Sequence, residues 1–139
     1  MVEINLHRKE GDFGFEATDA NGHVVRLDTS DETGGVNYGV RPMQMLLMGL
    51  GGCSAIDIVM ILKKQRQPLH DIKITVTGER EADAVPSLFK KAHVHFQLFG
   101  PLHADKAEKA VSLSVEKYCS VAKTLEPTAT VSYSFEIIK

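Results

Sequence analysis

The sequence carries no surplus of positive charge. Sixteen Lys and Arg stand against 18 Asp and Glu, a formal net charge of −2 over 139 residues. That balance argues against a nucleic-acid protein and against a polybasic membrane anchor. Cysteine is scarce too: only Cys53 and Cys119 occur, 66 positions apart. They form no CxxC and cannot by themselves supply the four ligands of a structural zinc site. Met1 to Arg8 hold no basic stretch followed by an apolar run, so no signal peptide is expected. Without export a structural disulfide is disfavoured, because the cytosol keeps thiols reduced. If the two thiols meet, a transient redox role is the better reading. No internal repeat and no linker is visible. With 43% hydrophobic residues the chain reads as a single domain, residues 1–139, with a core of its own.

One run raises the question of a membrane. Residues 43–62 are mostly apolar over 20 positions, enough to span a bilayer. Gln44, Ser54, Asp57 and three glycines interrupt the run, and a central Asp alone costs about 2.5–3.5 kcal/mol on insertion. The segment reads as a buried helix of a cytoplasmic protein, not a membrane span.

The rest of the chain alternates between strand and helix patterns. Strands are expected near 2–8, 12–18 and 23–29, the last two joined at Asn21-Gly22, a strong hairpin signal. Residues 30–40 are a glycine-rich loop. Arg41-Pro42 opens a helix that runs to about Gln67, with Pro well suited to its first position and Pro68 as its stop. Ile72, Ile74 and Val76, then Ala92, Val94, Phe96 and Leu98, alternate with polar residues, which predicts two strands of an antiparallel-type sheet covered on one face. A helix over 104–118 presents Ala107, Val111, Ser114 and Tyr118 on one face. A short helical piece over 120–125 and a last strand near 128–138 follow, the strand burying Val131, Tyr133, Phe135 and Ile137.

The long helix is apolar nearly all round in its first half, so it needs cover on every side. One sheet and one amphipathic helix leave Met43, Met45, Met48 and Met60 over. A second copy of the chain is the simplest cover; the N-terminal strands folding back are the other.

Few residues are able to carry chemistry. Gly49, Gly51 and Gly52 lie inside the helix beside Cys53, at a cost of about 1 kcal/mol each relative to Ala. They permit a close backbone approach and open space around the thiol. Cys53 reads either as a functional thiol or as a small core hydrophobe. Cys119 stands at a helix junction, where a helix N-terminus and Lys117 and Lys123 favour a thiolate; a buried structural cysteine is the equal alternative. His93 and His95 share one strand face and make a conceivable metal pair, but the face is otherwise polar and reads as solvated. Asp57, four residues after Cys53, shares its helix face and is given no catalytic role, because a neighbouring carboxylate raises a thiol pKa. No metal site and no bound cofactor is assigned.

Together, Gly34-Gly35 and Gly39, then Pro42-x-Gln44-x-Leu46-Leu47 leading to Gly51-Gly52-Cys53, then Tyr118-Cys119-Ser120-Val121-Ala122-Lys123 and a final strand, resemble the OsmC/Ohr superfamily, the osmotically inducible and organic-hydroperoxide-resistance proteins. The resemblance implies an α+β fold: an intertwined homodimer whose long central helices pack between antiparallel sheets, with active sites at the dimer interface. It also implies a cofactor-free thiol peroxidase. Cys53 matches the peroxidatic cysteine and Cys119 the resolving one; an organic hydroperoxide is the substrate and an external dithiol, resembling a lipoylated protein, the reductant. Two positions depart from the family's pattern. Met43 stands where its peroxidases carry a Glu, and no Arg occurs around Phe13, where an N-terminal strand supplies the activating Arg. Arg41, beside Pro42, is the nearest basic candidate. A second implied reading is a non-enzymatic stress protein that binds a small amphipathic ligand in the dimer-interface pocket.

Overall fold

A computed structural model describes all of residues 1–139. The chain forms two compact units, Met1–Leu46 and Leu47–Lys139. Its order is β1 (Asn5–Glu10), β2 (Gly14–Thr18), β3 (Val24–Leu27), α1 (Pro42–Lys64), β4 (Asp71–Arg80), β5 (Phe89–Phe99), α2 (Ala104–Leu113), α3 (Ser120–Leu125) and β6 (Thr130–Ile138). The result is a mixed α+β fold with two sheets and one long helix.

The first unit is an antiparallel meander, β1-β2-β3. The Asn21-Gly22 turn forms as expected. Asp19 accepts from the backbone N–H groups of Asn21 and His23, and Gly22 takes φ +86°, a left-handed conformation that suits glycine. The following loop is organised by one buried carboxylate. Asp28 accepts from the backbone N–H groups of Thr29, Val36 and Tyr38 at 2.7, 2.9 and 3.1 Å. It thereby ties residues 29–38 into a compact turn containing a single 3₁₀ turn at Asp31–Thr33. The chain then returns along β3 through a parallel bridge between Leu27 and Val40. A Cβ on Gly39 would meet the Arg26 carbonyl at 2.1 Å, so only glycine permits this approach.

In the second unit β4 and β5 pair antiparallel, Ile74 opposite Phe96. Strand β6 runs parallel to β5, Phe96 opposite Phe135. The sheet is therefore mixed, a correction to the all-antiparallel expectation. The chain crosses from β5 to β6 through α2 and α3, and a crossover of that length returns it to the same end of the sheet. Period-two alternation reports a covered face and carries no strand direction. Val94, Phe96 and Leu98 are fully buried, and the core continues through Leu50, Ile58 and Leu62 of α1 and Ala107, Ala110 and Val111 of α2. Val131, Tyr133, Phe135 and Ile137 pack against it as expected.

The helix expected over 104–118 changes character at Leu113. Ser114–Tyr118 form a π-helical turn, closed by the Cys119 N–H on the Ser114 carbonyl at 2.7 Å. The wider turn rotates the buried face. Ser114 and Val115 point in, and Tyr118, predicted on the inner face, is 52% exposed.

Two predictions follow from this packing. Replacing the fully buried Phe96 by Ala should lower the unfolding free energy by about 3–5 kcal/mol, read from the urea midpoint at unchanged slope. The Val36 and Tyr38 N–H groups, in that order, hold the Asp28 carboxyl below its ordinary 3.8, with Thr29 and the Arg41 charge adding to them against burial. On acidification the unfolded chain takes up this proton first. The contribution is complete above the ordinary value and is lost as pH falls through the lower folded one. Asp28→Asn should therefore lower stability at neutral pH and flatten its fall below about pH 4, measured by chemical denaturation across pH.

Candidate active site

Helix α1 begins at Pro42, whose missing N–H would be unpaired at a first helical position anyway. In the second unit it is buried along one stripe, Leu50, Ser54, Ile58 and Leu62, with Gly51 beside it. The four-residue spacing keeps these side chains on one face. At Gly51 the helix packs tightly against the sheet. A Cβ there would lie 2.9 Å from Val76 Cγ2, so a larger residue would push α1 away from β4. The other two helix glycines answer to no such constraint: a Cβ on Gly49 would touch Val121 at an ordinary 3.9 Å, and one on Gly52 would meet nothing within 4 Å. Gly52 thus leaves open space next to Cys53.

Ser54 is the polar member of the buried stripe. Its hydroxyl donates to the Leu50 carbonyl at 2.8 Å and lies 3.4 Å from Cys119 Sγ. The Ser114 hydroxyl, on the π turn, donates to the Ser54 carbonyl at 2.9 Å. Both serines are fully buried. Cys119 follows the π turn in an extended conformation and caps α3, accepting from the Ala122 N–H at 3.4 Å. The helix junction expected around Cys119 is therefore present. Burial pushes the Cys119 thiol above its ordinary value; the Ser54 and Ala122 donors oppose this, and the nearby Cys53 adds to it.

The fold brings together the two cysteines. Cys53 Sγ, Cys119 Sγ and a carboxylate oxygen of Asp57 all lie within 4.8 Å of one another, and neither cysteine is in a disulfide. Cys53 is half-buried and Cys119 fully buried. Asp57 is the residue that sequence reasoning left without a role. Its spacing of one helical turn from Cys53 was the available signal, but only the fold turns that shared face toward Cys119. Burial raises its pKa, and Asp57 Oδ2 is enclosed without a hydrogen-bond partner. A cavity of about 550 Å³ opens on Asp57, between Ile61, Gln65, Leu113 and Tyr118.

Arg41 and Met43 belong to the first unit. The Arg41 N–H donates to Gln44 Oε1 at 3.0 Å, and its side chain lines an open pocket with Arg26 and Gln44. His93 and His95 engage both ring nitrogens in a ladder along the polar face of the second sheet. His93 bonds Ser132 and Ser134 at 2.7 and 2.8 Å, and His95 bonds Ser134 and Glu136 at 2.7 and 2.9 Å. This is the polar-face arrangement expected from the alternation, with no pair of free nitrogens for a metal.

Comparison with known proteins agrees with this architecture. The chain is 41% identical over 125 residues to Protein YhfA of Escherichia coli (strain K12), covering 89% of this chain and 90% of that protein. The crystal structure of a hypothetical protein from Aquifex aeolicus VF5 superposes with a TM-score of 0.81 at 29% identity, covering 100% of this chain and 98% of the other. An organic hydroperoxide resistance protein OsmC from Legionella pneumophila shares the fold, with a TM-score of 0.75 at 21% identity over 98% and 96% of the two chains. Residues 33–134 match the family described as OsmC-like protein. With the two-sheet fold, the long glycine-bearing helix and the paired cysteines, that match means that the chain belongs to the OsmC-like protein family.

Proposed function

We propose that the protein is a cytoplasmic thiol peroxidase for organic hydroperoxides, working as a homodimer with residues 1–139 as one functional domain. The observation that carries this reading is the pair of free cysteines with sulfurs within 4.8 Å, one half-buried and one buried. In this mechanism the Cys53 thiolate attacks the terminal oxygen of the hydroperoxide. The O–O bond breaks, Cys53 becomes a sulfenic acid, and the alkoxide leaves and takes up a proton as the alcohol. The Cys119 thiol then condenses with the sulfenic acid, releasing water and forming the disulfide, and an external dithiol returns both residues to thiols. A disulfide needs Cα atoms about 4.4–6.8 Å apart, a geometry that sulfurs already this close approach with small adjustments. Arg41 is assigned the supply of positive charge that a thiolate needs at neutral pH. No protein-bound cofactor enters the cycle.

The homodimer is supported by the outer face of α1. Met48, Ile56, Val59 and Met60 are 55, 64, 40 and 53% exposed in the single chain, an apolar surface that a second copy would cover. The helix is long and apolar enough to cross a membrane by length and composition, but its stripe through Ser54 and Asp57 belongs to the thiol site. A second reading, a non-enzymatic stress protein holding a small amphipathic ligand, is favoured by the cavity beside Asp57, whose walls include Met60, Ile61 and Leu113.

Cumene hydroperoxide turnover with a dithiol reductant separates the two readings. Wild type should turn over, and Cys53→Ser should lose activity by at least about 100-fold, since the nucleophile itself is removed. Cys119→Ser should retain one turnover and stall as the sulfenic acid, seen by trapping and mass spectrometry. Arg41→Gln should slow the peroxide step about tenfold or more, the scale of one lost charge interaction. Equal rates for wild type and Cys53→Ser would end the peroxidase reading. A ligand retained in native mass spectra, without turnover, would establish the second. Light scattering should give a dimer for wild type and a monomer for Ile56→Glu, whose buried charge the apolar interface would not tolerate.

A further inference from the structure

We propose that the reduced site is also a binding site for a thiophilic divalent cation, Zn²⁺ by preference, held by Cys53 Sγ, Cys119 Sγ and Asp57. Three observations converge on it. The first is the donor set: two sulfurs and a carboxylate oxygen mutually within 4.8 Å. Zn–S bonds of about 2.3 Å in a tetrahedron place two sulfurs roughly 3.8 Å apart, so modest side-chain movement closes the site. The second is the enclosed Asp57 Oδ2, which has no hydrogen-bond partner in the protein. A buried acceptor left alone is costly, and a cation held by the Asp57 carboxylate would offset that cost. The third is the surroundings. Ser54 Oγ and the Ala122 N–H both lie 3.4 Å from Cys119 Sγ, placed to support a metal-bound thiolate as outer partners do. The cavity of about 550 Å³ that Asp57 lines leaves room beside the carboxylate for a water as fourth ligand, the arrangement of an open zinc site.

Soft thiolates with one carboxylate select zinc-like ions over Mg²⁺ or Ca²⁺, which prefer all-oxygen shells. Binding displaces the two thiol protons to solvent, and no electron is transferred. A Cys53–Cys119 disulfide removes both thiolate ligands, so occupancy reports the reduced state. The inference stands apart from the peroxidase reading, since it concerns equilibrium binding and not turnover.

Cobalt titration of the reduced, chelator-treated full chain tests it, because Co²⁺ occupies zinc sites and gives thiolate-to-cobalt charge-transfer absorption. The expected result is saturation at one Co²⁺ per chain, displacement by Zn²⁺, and no absorption from disulfide-oxidised protein. Cys53→Ser and Cys119→Ser should each abolish the dithiolate spectrum. Asp57→Asn should weaken binding by about tenfold or more; losing even an outer partner costs 10–100-fold. Replacing His93 and His95 together by Ala should change nothing. Circular dichroism establishes that each variant is folded. Absence of charge-transfer absorption in wild type with both thiols free would overturn the proposal. So would undiminished affinity in folded Asp57→Asn, or loss of the signal in the His93/His95 double variant.

Discussion

Two buried hydroxyl groups hold the thiol site in register. Ser54 on α1 and Ser114 on the π turn are both fully enclosed. A buried hydroxyl without a partner costs on the order of 1–3 kcal/mol, and neither lacks one. Ser54 donates to the Leu50 carbonyl one turn back, and Ser114 donates to the Ser54 carbonyl across the crossing. Small side chains here let two backbone segments approach far more closely than leucines would. The cysteines beside these serines share that approach: Cys53 precedes Ser54, and Cys119 closes the π turn onto the Ser114 carbonyl. The distance between the thiols is a consequence of this contact and of Gly51, which lets the same helix settle against Val76.

Burial disfavours the ionised forms of both Cys119 and Asp57, and the nearby sulfurs oppose one another. The proposed attack of Cys53 on a hydroperoxide and the proposed binding of a thiophilic cation draw on the same thiols. They are mutually exclusive, because a sulfur that has become sulfenic acid or disulfide is no longer a thiolate ligand.

Helix α1 explains why so apolar a segment need not belong to a lipid bilayer. One stripe, spaced by four residues, is consumed by the core of its own chain. The opposite side, with Ile56 and Met60, remains apolar and open. A helix apolar all round is stable in water only when both sides are covered, and this arithmetic underlies the proposed homodimer.

Much of this was legible in the residues alone. Pro42 as the helix start, the Asn21-Gly22 turn, the period-two strands on either side of the polar connection and the short helix at Ser120–Leu125 are all local signals: backbone restriction, turn chemistry and side-chain alternation act within a few residues. The cysteine pattern and its setting were sufficient to suggest the family. Three features were not local and stayed hidden. The direction of β6 depends on a crossover, and alternation is blind to it. The π turn, one extra residue per turn at Ser114–Tyr118, left Tyr118 exposed, and nothing in the apolar spacing announces such a widening. The meeting of Cys53, Asp57 and Cys119 joins positions 66 residues apart at its extremes. Sequence determined which side chains were available and on which helix face Cys53 and Asp57 stand. Only the tertiary structure decided that Cys119 faces them, because that contact is made by packing between segments distant in the chain and by no interaction within either.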